Sequence, residues 1–165
     1  MTSFEERKIF EDRHRLMDVE KVPRQHPVRI FYDFFMSRRS PDGYLHRANF
    51  DPADIVKILP WMQILEEIDT DVFTHRVVGT AIVELLGRDN TGKLFGDGIS
   101  AKSKQTRTEE FRMAFATREP VLSCSSSMQE ERNFIEVIRG VFPGKMGEVR
   151  LIYLPLAPTE KRLII

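Results

Sequence analysis

The sequence lacks the features that would cross-link, anchor or export a protein. It contains one cysteine, Cys124, which excludes an intrachain disulfide and a cysteine-rich zinc site. No apolar run approaches the roughly 18 residues that a membrane span needs. The N-terminal stretch MTSFEERKIFEDRHR is charged and has no apolar signal core. We therefore expect a cytoplasmic protein without a membrane partner.

An excess of either charge is also missing. Lysine and arginine number 25 together, and so do aspartate and glutamate. A zero balance gives no general attraction to nucleic acid, which is not expected as a partner. Hydrophobic residues make up 41% of the 165 residues and charged ones 30%, which is typical of a soluble globular protein.

Residues Gly87 to Lys93 spell G-x-x-x-x-G-K, most of a phosphate-binding loop. That loop needs Ser or Thr after the lysine, and here Leu94 follows. It also needs a helix directly behind it, but the next residues, LFGDGISAKSK, contain glycines and no apolar stripe. We predict that Gly87 and Gly92 serve backbone geometry and that Lys93 binds no phosphate. An enzyme with a nucleotide at this loop is the alternative, although no G-x-S-x-G or H-E-x-x-H motif supports catalysis.

The first part of the chain is predicted to be helical. Residues 4–17 form a charged helix, and on residues 28–39 one helical face carries Val28, Phe31, Tyr32 and Phe35. Ile30 and Phe34 add apolar area beside that face. Because exposed apolar patches usually mark interfaces, we expect residues 4–39 to form a self-association surface in a homodimer. The expected organisation is an N-terminal helical extension, 1–39, and a domain, 40–165.

The rest of the chain mixes strands and helices. A helix starts at Thr80, and a capping box of Thr106 and Glu109 is expected to begin the next one. The predicted strands cover 61–68, 73–78, 121–128, 133–142 and 148–157. This order indicates an α+β fold, an antiparallel sheet covered on one face by helices.

Three segments carry a family resemblance: FDPADIVKILPWMQILEEID at 50–69, VFTHRVVGTAIVELLGRDNTGK at 72–93 and LPLAP at 154–158. The chain resembles the single-domain PAS proteins of alphaproteobacterial type, once catalogued only as a domain of unknown function. The resemblance makes LPLAP the end of the penultimate strand, KRLII the last strand and 125–133 an insertion. Periodicity alone makes 133–142 and 148–157 the last two strands. Both registers stay open.

The resemblance implies a five-stranded antiparallel sheet with a helical crossover on one face. Family members hold a small ligand or cofactor between the two, or fill that space with side chains. The implied function is a stand-alone sensory or regulatory domain that binds a small ligand, a signalling protein such as a histidine kinase, or both. A ligand-free assembly module is a further alternative.

Inward positions of the strands and crossover define a candidate ligand cavity, although the same residues are typical of a plain core. They are Phe73, His75, Val77, Ile82, Leu86, Phe111, Phe115, Ile152 and Leu154. His75 is the sharpest polar candidate. Its alternative role is a histidine bonded to a backbone carbonyl, because buried polar groups are normally satisfied within the protein.

The sequence supports no particular cofactor, no metal site and no catalytic residue. Haem-binding relatives use a histidine in the crossover, and residues 80–118 contain none. Flavin-photochemistry relatives use a cysteine there, but Cys124 follows Pro120 in a strand pattern. Arg76, Arg88 and Asp89 are expected to be structural. The basic group of Lys102, Lys104 and Arg107 is expected to be a solvated helix start.

Overall fold

The computed structural model describes residues 14–128 and 134–164. Its α-helices are α1 (Pro27–Arg38), α2 (Thr80–Leu86) and α3 (Ala101–Thr117), and 3-10 turns cover Val19–Lys21, Arg47–Asn49 and Pro52–Trp61. The strands are β1 (Arg15–Leu16), β2 (Leu45–His46), β3 (Gln63–Asp69), β4 (Val72–Val78), β5 (Val121–Met128), β6 (Phe134–Met146), β7 (Val149–Tyr153) and β8 (Leu156–Pro158). None of the described helices is long and apolar enough to cross a membrane.

Five antiparallel strands form the body of the sheet in the order β5-β6-β7-β3-β4. The short β1 extends the sheet beyond β5, and β2 pairs in parallel with β6. Helices α2 and α3 form the crossover between β4 and β5. This arrangement confirms the predicted α+β fold with a five-stranded antiparallel sheet.

The hairpin of β6 and β7 decides between the two registers of the last strands. Its turn is at Gly147, whose φ of 61° favours glycine, and Met146 pairs with Val149. Pairing continues past Pro155, where Leu156 in β8 lies opposite Arg139. LPLAP therefore ends the last strand, and the resemblance-based register was wrong. Residues 161–164 are in no strand, 125–128 belong to β5, and 129–133 lie outside the described residues.

Helix α1 is part of the core. Its residues Val28, Phe31 and Phe35 are fully buried, and the Phe31 and Phe142 rings lie edge to face with centroids 4.8 Å apart. The argument for a self-association surface fails for these three side chains, because the chain's own sheet covers them. The dimer and the division at residue 39 stay predictions.

Two helix predictions need correction near their N-terminal ends. Of the helix predicted for 4–17, residues 4–13 lie outside the described part of the chain, and Arg15–Leu16 is strand β1, paired with β5. Helix α3 begins before the expected capping box: the Ser100 hydroxyl accepts a hydrogen bond from the Ser103 N–H at 3.1 Å. Thr106 lies inside the helix and donates to the Lys102 carbonyl. An earlier serine cap outcompeted the later threonine.

Candidate functional site

The predicted cavity residues mostly meet in one apolar cluster. Phe73, Phe111, Phe115, Ile152 and Leu154 pack together there, while Ile82 packs with Val137 and Leu156. The centroids of the Phe73 and Phe111 rings lie 5.2 Å apart, and those of Phe95 and Phe111 lie 4.9 Å apart. These side chains touch one another across the space where a ligand was expected. Their role in ligand binding stays a prediction.

Val77 and Leu86 do not belong to that cluster. Val77 is 45% exposed and Leu86 is 37% exposed. Opposite β3, Ile64 pairs with Val77 but Leu65 pairs with His75, so Arg76 is an extra residue in β4. Such a β-bulge breaks the alternation of faces, and Val77 therefore leaves the face that Phe73 and His75 share. Leu86 ends the short helix α2 at the surface.

His75 is buried, as predicted, with 6% of its surface exposed. Its N–H donates to the Lys93 carbonyl and its carbonyl accepts from the Gly92 N–H, so the glycine-rich loop is bonded to β4. Its ring Nδ1 has no hydrogen-bond partner in the described structure. Burial lowers the pKa of His75, Arg88 lowers it further and Asp97 opposes both, so the ring is neutral at pH 7.

The glycine-rich loop makes contacts of its own. Asp89 Oδ1 accepts bonds from the Thr91 N–H and hydroxyl, and Arg88 donates to the Asp97 carbonyl. Arg76 pairs with Glu66 at 3.0 Å. Leu94 forms a single β-bridge with Thr74, and turns and bends follow until α3 begins at Ala101. No helix stands directly behind the loop, so its N–H groups lack the dipole that a phosphate site uses.

A polar pocket lies between α3 and the β5–β6 pair. It has an internal volume of about 40 Å³. Its lining comes from the N-terminal segment, α3, β5 and β6: His14, Lys102, Ser103, Thr106, Arg107, Ser125, Ser126 and Arg139. Arg139 and Ser125 expose only 4% and 8% of their surfaces.

One buried carboxylate lies beside this pocket. Glu110, on α3, is 3% exposed. Its Oε1 lies 2.7 Å from His14 Nε2, and its Oε2 accepts a hydrogen bond from the Ser123 hydroxyl. Two other buried groups of the pocket, Arg139 Nε and Ser125 Oγ, have no hydrogen-bond partner within the described residues. Glu110 Oε2 is thus hydrogen-bonded, whereas Oε1 has the contact with His14 but, like the two pocket donors, no hydrogen-bond partner within the described residues.

Two arginines of this pocket, Arg107 and Arg139, are close enough for the charge of one to act on the pKa of the other. Burial lowers the pKa of Arg107 to about 9, the charge of Arg139 contributes to the shift, and Glu110 opposes it. Burial also lowers the pKa of Arg139, again against the effect of Glu110. Both groups stay protonated at pH 7. The lowered pKa values express the cost of placing two positive charges near each other where water is partly excluded: Arg139 is buried, and Arg107 is half-buried.

Sequence reasoning missed this pocket, although one signal was present. Val137, Arg139 and Val141 alternate along β6 and share one face, so a lone arginine stands between two buried valines. An arginine on an inward face is unusual and needs a partner. Arg107 was expected to be solvated as part of a basic group at a helix start. Only the position of α3 over β5 and β6 brings it to Arg139.

Comparison with known proteins agrees with this fold. The family model described as a PAS domain matches residues 23–163. This match covers most of the sequence, and the chain therefore belongs to the PAS domain family. Among solved structures, it is similar to an RNA-binding light-oxygen-voltage receptor, with 11% sequence identity and a TM-score of 0.42. The similarity covers 62% of this chain and 32% of the receptor chain, so it spans about a third of the receptor. No curated protein matches.

Proposed function

We propose that this PAS domain is a sensory or regulatory domain whose small ligand binds in the polar pocket between α3 and the β5–β6 pair. The observation that carries the proposal is a pair of groups there, Arg139 Nε and Ser125 Oγ, that have no hydrogen-bond partner among residues 14–128 and 134–164. Buried polar groups normally have partners, and each one without a partner costs about 1–3 kcal/mol. A ligand that accepts hydrogen bonds from both would recover that cost.

The other buried groups that lack a hydrogen-bond partner in the described structure are less suited to hold a ligand. Glu110 Oε1 is in contact with His14 beside the pocket, and His75 Nδ1 and the Tyr153 hydroxyl each occur singly. Tyr153 is fully buried in the apolar cluster of Phe31 and Phe50, and the His75 ring lies against Phe95. Only Arg139 and Ser125 line one pocket together. The aromatic cluster around Phe73 would have to separate its rings before it could accept a ligand.

The N-terminal segment offers a route from the pocket to a partner. His14 contacts Glu110 at the pocket, and the following residues Arg15 and Leu16 are the whole of strand β1. A strand of two residue pairs is held weakly, so a ligand that displaces His14 changes how this segment is held. A signalling protein such as a histidine kinase, or a second copy of the chain, would read that change in the cytoplasm. No catalysis by the domain is required.

Native mass spectrometry and thermal unfolding of the full chain test the proposal. The wild type should retain a small molecule, or its melting temperature should rise with a member of a set of small metabolites. Ser126→Phe should fill the pocket and abolish the effect, because Ser126 lines it at the half-buried edge. Ser37→Phe, on the exposed side of α1, is the matched control and should behave as the wild type.

The assembly-module alternative predicts a different outcome. The wild type would retain no mass, and no compound would stabilise it more than it stabilises Ser126→Phe. A ligand that binds Ser126→Phe as well as the wild type would place binding elsewhere and refute the proposed pocket.

A further inference from the structure

We infer that the ligand of this pocket carries a small oxyanion, a carboxylate or phosphate group, bound by Arg139, Arg107 and Ser125. This inference rests on the proposed function, since it names the chemistry of the same ligand. It follows from three separate properties of the pocket: its charge, the kind of hydrogen-bonding groups it offers, and its size.

The side chains that line the pocket in the described part of the chain carry a net positive charge. Arg107 and Glu110 are three positions apart on α3, so they lie on one side of the helix. In the described structure, Glu110 is the carboxylate that acts on both arginines. It is already in contact with His14 and with the Ser123 hydroxyl. Two guanidinium groups therefore share one engaged carboxylate. Burial of an unbalanced charge is costly, and a bound anion would offset that cost.

The pocket offers donors to its ligand. A guanidinium group donates through its N–H bonds and accepts nothing, and a serine hydroxyl can donate as well. Arg139 Nε and Ser125 Oγ are both without a partner in the described residues. Carboxylate and phosphate oxygens accept several hydrogen bonds, and bonds from arginine to such oxygens are among the strong ones. A cation would meet like charges here, and a neutral ligand would leave the charge imbalance in place.

The volume limits the part of the ligand that enters. A cavity needs a volume of about 10–15 Å³ to hold one water. The volume of about 40 Å³ thus corresponds to about three waters. A carboxylate or phosphate group has three to five heavy atoms (by its formula) and fits this space, whereas a nucleotide does not. A larger ligand would place its anionic group inside and leave the remainder outside.

Nitrogen NMR of the full-length protein tests the inference directly. Arginine Nε–H groups give resolved signals, and Arg139→Lys removes one of them, which assigns it. Where that variant does not fold, through-bond correlation of the wild type provides the assignment. The probes are sodium phosphate, sodium acetate and acetamide, the neutral analogue of acetate, at constant ionic strength set with chloride. Phosphate or acetate should shift the Arg139 Nε–H signal saturably, and acetamide should not.

Two variants locate the binding. Ser125→Ala should weaken it about fivefold, the loss expected for one ordinary hydrogen bond. Arg107→Gln should weaken it about tenfold or more, because a charged partner is removed. Arg112→Met is the matched control: it makes a similar charge change on the exposed side of α3, where Arg112 pairs with Asp71. It should leave the affinity unchanged. A stronger response to phosphate than to acetate would identify phosphate as the group, and the reverse would identify carboxylate.

The results also separate this inference from the proposed function. Equal binding of acetate and acetamide, or anion binding that survives both Ser125→Ala and Arg107→Gln, would overturn the oxyanion assignment. The protein could bind neither phosphate nor acetate and yet retain a neutral compound that Ser126→Phe does not bind. That result would support the sensory pocket and refute the oxyanion assignment. If neither is seen, both fall.

Discussion

Protonation of His26 should destabilise the folded protein as the pH falls. His26 is fully buried at the N-terminal end of α1. Its Nδ1 accepts a hydrogen bond from the Val28 N–H at 3.1 Å, so its Nε2 carries the proton and donates to the Pro158 carbonyl at 2.9 Å. The ring thus ties the first helix to the last strand as one neutral tautomer. A proton on Nδ1 would break the bond to Val28 and place a positive charge at a helix N-terminus.

The pKa of His26 sets the pH range and the size of the effect. Burial lowers that pKa from 6.5 to about 4, against the bonds to the Pro158 and Ala157 carbonyls, and Arg162 lowers it further. Between these values the unfolded chain binds more protons than the folded one, so stability falls as the pH falls. The contribution is complete above 6.5 and is lost as the pH approaches about 4. One pKa unit corresponds to about 1.4 kcal/mol, so the total loss is about 3 kcal/mol, of which about 1 kcal/mol appears by about pH 5.5.

Urea unfolding of the wild type and of His26→Asn at a series of pH values measures this loss. Asparagine keeps a cap acceptor for the Val28 N–H but does not titrate. The variant should be less stable at neutral pH, because the bond to Pro158 is lost. The difference between the two proteins should narrow on acidification, since only the wild type loses the histidine contribution. A constant difference between about pH 7 and about pH 4.5 would refute the reasoning.

Further predictions concern the glycine-rich loop and the core. Gly87→Val should lower the free energy of unfolding by about 1–2 kcal/mol, because Gly87 has a φ of 76° that a β-branched residue adopts at a cost. Lys93→Ala should be nearly silent in thermal unfolding, and calorimetry with ATP and magnesium should show no heat. Micromolar nucleotide binding that Lys93→Ala abolishes would restore the enzyme alternative. Phe31→Ala should destabilise by about 3–5 kcal/mol in urea unfolding, because the fully buried ring leaves a cavity beside Phe142. A loss below about 1 kcal/mol would mean that α1 is not core.

Periodicity predicted the faces of the long elements well. The helical spacing of Val28, Phe31 and Phe35 identified the side of α1 that is now fully buried. Phe111 and Phe115, predicted as inward positions of the crossover, are buried on α3. In both helices the apolar stripe packs against a single surface. What periodicity did not provide was the identity of that surface: Val28, Phe31 and Phe35 were counted toward a self-association surface, and the chain's own sheet covers them.

The errors in the predicted strand faces, helix start and strand register arose where a segment alone is compatible with more than one local structure. The extra residue Arg76 in β4 inverts the faces after His75, and nothing in the alternation of VFTHRVV marks where a bulge occurs. Ser100 and Thr106 both begin plausible caps, and the choice depends on how far α3 extends over the sheet. The register of the last strands was decided by pairing across Pro155, a contact between distant residues. Each of these outcomes depends on a partner that a single segment does not contain.

Polar residues on inward faces are visible in the sequence, but periodicity does not show what they contact. His26, Glu110 and Arg139 are all buried. His26 is hydrogen-bonded to two backbone groups, and Glu110 contacts the side chains of His14 and Ser123, so both have structural partners. Arg139 Nε has no such partner in the described residues. A sequence shows that a charge lies on an apolar face, but only the fold shows whether that charge is already paired. Arg139, in the pocket beneath α3, has one group without a partner in the described residues, and the anionic ligand that we propose would supply that partner.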